Sequence, residues 1–195
     1  MYLIMKMIAL VAVFLGLCTM VPIRWGKCAT PTLQSPFSAS TYTGVGYVAR
    51  RVKNVPWDTK DCGQIKVSAP DGNGKQTFFV GQYDIAKSKS SSTSGTLSFT
   101  TSTSAIGTLS GSSFLPSGDF RVVTNTASPP SSVLYSCVPY LFFFKKEFMW
   151  IFVQNKADAG ANANPLLSAA LLKVNTFSSG DFITPLQTSD CKYLN

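Results

Sequence analysis

The sequence contains no histidine, and only nine of its 195 residues are aspartate or glutamate. Without an imidazole it can form no Ser-His-Asp or Cys-His catalytic unit, and it lacks the usual general base near neutral pH. No Cys-x-x-Cys pair is present either, so the common structural zinc sites are excluded. The composition therefore predicts neither an enzyme nor a metal site, and no catalytic cofactor.

Long apolar runs are also scarce, and the single one lies at the N-terminus. Lys6 precedes the apolar residues 7–17, a pattern that predicts a secretory signal peptide over residues 1–18. The alternative is a membrane anchor, because a run of roughly 20 apolar residues can span a bilayer. No second apolar segment of that length follows. We therefore expect a secreted, extracellular protein without stable membrane insertion, whose one domain comprises residues 19–195.

Basic residues exceed acidic ones, with 17 Lys and Arg and a formal net charge of +8. Such a balance can indicate nucleic acid or an anionic surface as a partner. The basic residues are scattered, however, and the short clusters lie at residues 50–53 and 145–146. We interpret them as a solvated basic surface and expect no nucleic-acid partner.

Cysteine usage agrees with export. Cys18 falls within the predicted signal peptide, which leaves Cys28, Cys62, Cys137 and Cys191. An even number of cysteines in an exported chain predicts two disulfides, and four cysteines allow three connectivities. The residues alone leave the pairing open.

Short β-prone segments separated by turn residues occupy most of the remaining chain. The turn at residues 70–74 contains an Asp-Gly and an Asn-Gly step, which predicts a hairpin between its flanking strands. Short strands at this spacing predict an all-β sandwich or an up-and-down barrel. The predicted strands are 45–52, 64–69, 77–85, 96–100, 106–109, 120–124, 133–137 and 148–153.

Residues 88–113 are rich in Ser, Thr and Gly, a composition that is also typical of a disordered or glycosylated stalk. Two pieces of this segment, 96–100 and 106–109, alternate apolar with hydroxyl residues, as half-buried strands do. We therefore favour two short strands over a stalk.

One helix is predicted after the eight strands. Asn164 can cap its start, Pro165 suits the first helical position, and Gly180 ends the region. Apolar residues recur at helical spacing, namely Leu166, Leu167, Ala170, Leu171 and Val174. Residues 182–184 predict a last short strand.

Five segments carry a resemblance to a known family: residues 26–29, 42–47, 134–140, 148–153 and 186–191. In their order and spacing they resemble the lipocalins, and among these the crustacyanin subunits, which bind astaxanthin in crustacean shell. The resemblance covers nearly the whole mature chain. It implies an all-β fold, an eight-stranded antiparallel up-and-down calyx barrel with one C-terminal helix packed outside, and a lipocalin domain over residues 19–195.

The resemblance also implies a disulfide pairing, Cys28 with Cys137 and Cys62 with Cys191. The first bond would tie the N-terminal segment to the barrel wall, and the second would tie the C-terminal tail.

The chain departs from the family at the closed end of the barrel. Gly46 stands where the family has a Trp, and Gln154 aligns with an Arg that packs against that Trp. Asn125 replaces an acidic residue of the family's second motif. We expect Trp150 or Phe152 to fill the floor instead.

As for function, the resemblance implies a secreted carrier of a small hydrophobic ligand, foremost a noncovalently bound carotenoid such as astaxanthin, and hence a pigment or coloration protein. Tyr and Gln side chains would bind the polar end ring, while aromatic residues would clasp the polyene. Strand alternation and the connections rich in aromatic residues predict these ligand-binding residues: Val48, Arg50, Trp57, Phe79, Tyr83, Phe99, Tyr135, Phe142, Phe148, Trp150 and Phe152.

Two aromatic clusters lie in predicted connections, at residues 55–57 and 140–144. In the family both connections rim the open mouth, and exposed apolar surface usually marks a binding or association site. We expect a ligand rim or a subunit interface, which would make the protein a homo- or heterodimer. Local self-packing is the alternative.

Two other functions stay open at this point. One is a lipocalin for another lipid, such as a fatty acid, a retinoid or a bilin. The other is a secreted interaction protein that has a filled barrel and uses the Ser/Thr-rich sheet as its surface. A continuous internal cavity favours a carrier, and a packed interior favours the interaction protein.

Overall fold

The computed structural model describes residues 23–53, 55, 58–110, 118–127, 130–140 and 143–193. Strand β4 shows why the segments form strands with one buried face: Gln76 and Phe78 are buried, whereas Thr77 and Phe79 between them are exposed. Ten strands form a single sheet: β1 (Ile23–Trp25), β2 (Gly44–Val52), β3 (Asp61–Val67), β4 (Lys75–Asp84), β5 (Lys89–Phe99), β6 (Ile106–Ser110), β7 (Gly118–Ala127), β8 (Pro130–Tyr140), β9 (Phe144–Val153) and β10 (Phe182–Ile183).

Strands β2 to β9 pair antiparallel in chain order, and β9 also pairs with β2. This last pairing closes an eight-stranded up-and-down barrel, as predicted, and closure removes the sheet edges that would otherwise be left unpaired. The short strand β10 is added to β2, and β1 is added to β9. Sequence analysis did not predict β1, because three residues are too few for an alternation to be seen.

The Ser/Thr-rich segment forms strands, which confirms that interpretation over a stalk for the residues described. Strand β5 is longer than predicted because its pairing with β4 extends from Lys75 opposite Ser98 to Asp84 opposite Lys89. Residues 111–113 of the segment lie outside the described residues.

The predicted helix, α1 (Asn164–Lys173), packs on the outer wall of the barrel. Leu167, Ala170 and Val174 are buried against outward-facing residues such as Met149. Asn164 does not cap the helix, contrary to expectation, because its Oδ1 accepts a hydrogen bond from Arg50 Nη2 at 2.6 Å. A second apolar cluster, which contains Phe78, Phe120 and Phe152, fills much of the barrel interior.

Both implied disulfides are present. Cys28 is bonded to Cys137 and Cys62 to Cys191, with Cα–Cα distances of 5.8 and 5.4 Å. They span 109 and 129 residues, so on the chain-entropy model each stabilises the fold by roughly 4–5 kcal/mol. One joins the N-terminal segment to β8, and the other joins the C-terminal tail to β3.

Within the described residues, no helix has both the length and the apolar character needed to cross a bilayer. The predicted signal peptide lies outside the described residues and stays a prediction.

The disulfide of the tail gives a first test. Replacing Cys62 and Cys191 together by Ser should lower the free energy of unfolding by about 2–5 kcal/mol, because the unfolded chain regains the freedom of a long loop. Urea unfolding of the double variant and the wild type measures this difference. As a control, peptide mapping of the unreduced variant should still recover the Cys28–Cys137 peptide. A Cys28–Cys62 peptide from the wild type would contradict the pairing.

Candidate ligand-binding site

The barrel encloses an apolar cavity of about 60 Å³. Every one of the eight barrel strands contributes to its wall, because inward-facing residues of a closed barrel converge on one axis. The lining residues are Tyr42, Val48, Asp58, Ile65, Phe78, Val80, Leu97, Leu109, Phe120, Leu134, Trp150 and Phe152.

Two glycines give space to two phenylalanine rings of the wall. Gly95 is paired with Phe78, and Gly107 is paired with Phe120. A Cβ atom on Gly107 would lie 2.5 Å from Phe120 Cε1 and 2.9 Å from the Ser98 carbonyl oxygen, both far inside van der Waals contact. The absence of a side chain at these two positions therefore gives the rings the space that they occupy.

A buried ion pair between Asp58 and Arg51 lies beside the cavity. Trp150 Nε1 donates to Asp58 Oδ2 at 2.9 Å, and Arg51 Nε lies 3.1 Å from Asp58 Oδ1. Burial raises the pKa of Asp58, while the guanidinium of Arg51 and the indole N–H of Trp150 act in the opposite direction. Burial likewise lowers the pKa of Arg51.

Asp58 and Arg51 were not predicted to be site residues. Arg51 belongs to a run of basic residues that was assigned to the surface, and Asp58 lies in a connection without periodicity. The sequence offered one weak signal, an Asp six residues after a strand whose last three residues are Arg50, Arg51 and Val52.

The closed end of the barrel has a second, more polar cleft of about 40 Å³. Tyr42, Ile65 and Phe152 line both spaces, so these three side chains form the partition between them. Burial raises the pKa of Tyr42 well above its ordinary value, and a hydrogen bond with Ser132 acts in the opposite direction. Polar side chains of the cleft include Thr41, Thr43, Asn125, Ser131, Ser132 and Gln154.

Phe152, rather than Trp150, fills the floor at Gly46. A Cβ atom on Gly46 would lie 3.2 Å from Phe152 Cβ and 3.1 Å from Ile65 Cγ2, so the space beside this glycine is already occupied. Trp150 instead contacts Asp58 on the mouth side.

Of the predicted ligand-binding residues, Val48, Trp150 and Phe152 line the cavity. Phe148 stacks on Trp150 with a ring-centroid distance of 5.9 Å. Phe99 packs against Phe37, Tyr42 and Phe120 within the inner cluster, and Tyr83 is buried without lining the cavity. Contact with a ligand stays a prediction for all of them.

Three predicted lining residues are corrected, because they face away from the cavity. Phe79 is exposed, since its neighbours Phe78 and Val80 take the inner face of β4. Tyr135 points outward, donating from its hydroxyl to Glu147 Oε1 at 2.7 Å and accepting from the Ala29 N–H at 3.0 Å.

Arg50 is the third correction. The register of β2 against β9 shifts between Val48 and Arg50, so strict alternation fails at this bulge. Arg50 therefore reaches Asn164 of the outer helix. Trp57 and Phe142, which were also predicted to bind ligand, lie outside the described residues.

Aromatic residues are exposed at the mouth end, where the β8–β9 connection lies. Trp25 and Phe143 stack at 5.6 Å with 71% and 64% of their surfaces exposed. Phe144 meets Trp25 edge-on at 5.0 Å, and Lys146 Nζ lies 4.4 Å from the centre of the Tyr140 ring. These rings self-pack and still leave apolar surface open to solvent. A subunit interface here stays a prediction.

Among the described residues, no group of three or more His, Cys, Asp or Glu side chains is placed to hold a metal ion.

Comparison with known proteins identifies the fold. No protein-family model and no curated protein sequence matches the chain. Solved structures do match: lobster apocrustacyanin A1 has a TM-score of 0.69 at 21% identity, covering 87% of this chain and 93% of that one. Insecticyanin from the tobacco hornworm Manduca sexta has a TM-score of 0.72 at 13% identity, covering 89% and 93%. H1 crustacyanin from the lobster Homarus americanus has a TM-score of 0.68 at 19% identity, covering 87% and 92%.

The close approach at Gly107 gives the second prediction. Gly107→Ala should lower the free energy of unfolding by about 1–3 kcal/mol, because the new methyl group must displace Phe120 or the backbone of β5. Gly72→Ala is the matched control: its Cβ would meet nothing within 4 Å, so a change below about 0.5 kcal/mol is expected. Urea unfolding of both variants measures the difference, and equal stabilities would contradict the packing described.

Proposed function

Because the chain has the lipocalin fold, we propose that it is a secreted carrier that binds a small hydrophobic ligand noncovalently inside the barrel. The observation that carries this proposal is the apolar cavity to which all eight strands contribute. Preformed apolar cavities with few polar groups are the usual sites for such ligands. Two disulfides are consistent with an extracellular location.

The size of the cavity limits how a ligand can bind. Its volume of about 60 Å³ is well below the roughly 300–1,000 Å³ of ligand pockets. A ligand therefore either is small or inserts one end while the rest leaves through the mouth. Movement of the partition of Tyr42, Ile65 and Phe152 would add the cleft at the closed end.

We propose a carotenoid such as astaxanthin as the ligand, on the strength of the sequence resemblance to crustacyanins. In this arrangement one end ring occupies the cavity, and the polyene runs out past the exposed rings of Trp25 and Phe143. Such a pose needs little volume inside the barrel and covers apolar surface that is otherwise exposed to water. A fatty acid, a retinoid or a bilin would use the same cavity.

The small cavity favours a second function, a secreted interaction protein with a filled barrel. In that case the exposed aromatic residues at the mouth, or the Ser/Thr-rich strand β5, would contact a protein partner instead of a ligand. Titration with ligand separates the two functions.

The third prediction uses two neighbours on β4. Val80 lines the cavity, whereas Phe79 is 44% exposed on the opposite face. Val80→Phe places a ring in the cavity and should weaken ligand binding roughly tenfold or more, while Phe79→Ala should leave it unchanged. The measurement is astaxanthin titration followed by red-shifted absorbance and tryptophan quenching, with thermal unfolding to confirm that both variants are folded.

Absence of both signals with the wild type would reject the carotenoid. A retinoid, a fatty acid and a bilin are then titrated in the same way. If none of them binds, the carrier function is wrong and the interaction protein is favoured. If Phe79→Ala abolishes binding and Val80→Phe does not, the ligand binds outside the barrel.

A further inference from the structure

Asp58 is the only charged side chain among the described residues that line the apolar cavity. Its side chain is 8% exposed, and that of its partner Arg51 is 4% exposed. A carboxylate in such surroundings is costly unless it is paired and hydrogen-bonded. The structure meets that requirement with Arg51 and Trp150, and it leaves the carboxylate at the cavity wall.

The ion pair is oriented, with its negative member toward the cavity. Arg51 is not a lining residue and approaches Asp58 Oδ1 through its Nε atom at 3.1 Å. Trp150 Nε1 donates to the other oxygen at 2.9 Å. Oδ2 thus accepts one hydrogen bond, Oδ1 has only the ion-pair contact with Arg51, and an ionised carboxylate offers about four acceptor sites in all. Capacity for a further hydrogen bond remains.

The two residues that follow Asp58 are held in place by contacts with β4. Gln82 Oε1 accepts from the N–H groups of Thr59 and Lys60 at 3.2 and 2.9 Å, and Lys60 Nζ pairs with Asp84 at 2.8 Å. The carboxylate is therefore a fixed feature of the cavity wall, which favours selectivity because little reorganisation accompanies binding.

We propose that Asp58 selects ligands by the chemical group at the end that enters the cavity: a ligand that ends in a hydroxyl group is bound, and a ligand that ends in a carboxylate is rejected. This inference rests on the proposed carrier function and narrows it. A hydroxyl donates to the free acceptor site of Asp58. A carboxylate meets a like charge in a medium where charges are weakly screened, and loses its hydration without gaining a donor. The chain would then carry apolar alcohols rather than free fatty acids.

The test compares two ligands of equal length, decanol and decanoate, by isothermal titration calorimetry of the mature chain at pH 7. The wild type should bind decanol at least about tenfold more tightly than decanoate. In Asp58→Asn the negative charge is gone and Arg51 is left unpaired, so the preference should invert toward decanoate. In the double variant Arg51→Gln, Asp58→Asn neither charge remains, and the preference for decanol should fall below about threefold.

Asp119→Asn is the matched control. It removes one exposed carboxylate of β7, beside the lining residue Phe120 but outside the cavity lining, and should keep the wild-type preference. The double variant keeps the test decisive if Asp58→Asn does not fold, because it removes both charges together. Wild-type protein that binds decanoate as tightly as decanol overturns the selection and leaves the carrier function standing.

An unchanged preference in the Asp58 variants also overturns the role of that residue. If the wild-type protein binds neither decanol nor decanoate, the proposed selection for a hydroxyl group is wrong. If the carotenoid, retinoid, fatty-acid and bilin titrations are negative as well, the carrier function is also wrong.

Discussion

The pairing of β9 with β2 is the constraint on which the other features depend. It converts a row of hairpins into a closed surface, and closure gives every strand an inner and an outer face. The inner faces can enclose only a narrow space, so small differences in side-chain size decide whether a cavity remains. The closing pair also contains the bulge between Val48 and Arg50, which turns Arg50 toward the helix and leaves Arg51 to meet Asp58. The position of the Arg51–Asp58 ion pair therefore follows from how the barrel closes.

The outer face uses buried charge in a different way. Glu147 is fully buried outside the barrel, with Lys145 Nζ 3.1 Å from Oε1 and 3.0 Å from Oε2. Tyr135 and Thr176 donate to Oε1 as well, at 2.7 and 2.9 Å. Three hydrogen bonds converge on Oε1 of this carboxylate and join β8, β9 and the segment after the helix, so its role is structural. Asp58 accepts fewer hydrogen bonds from side chains and lies at a cavity wall. For this reason Asp58, rather than Glu147, is the candidate for ligand recognition.

The sequence predicted the strand order, the helix and, through the family resemblance, both disulfides, because these depend on local patterns and on well-spaced segments. It predicted the inner face of the strands less well. Phe78 and Phe79 are both apolar, as are Leu134 and Tyr135, so alternation alone cannot tell which member of each pair faces inward. Gly95 and Gly107 leave room for Phe78 and Phe120 on the inner face. Each glycine lies on the strand next to the ring that it accommodates, so its effect cannot be seen in the sequence of one strand. The role of Asp58 could not be predicted for a similar reason, because it depends on contacts with Arg51 of β2 and Trp150 of β9, which are distant or irregularly spaced in the sequence.

The closed end shows how a missing side chain changes the interior. In the family a Trp occupies the place of Gly46, whereas here Phe152 and Ile65 pack directly against the glycine backbone. Phe152 then shares the partition with Tyr42, and a polar cleft opens behind it because Gln154 and its neighbours do not fill the space. On the proposed carrier function, displacement of this partition would join the cavity to the cleft, which would reconcile a small cavity with a ligand longer than the cavity itself.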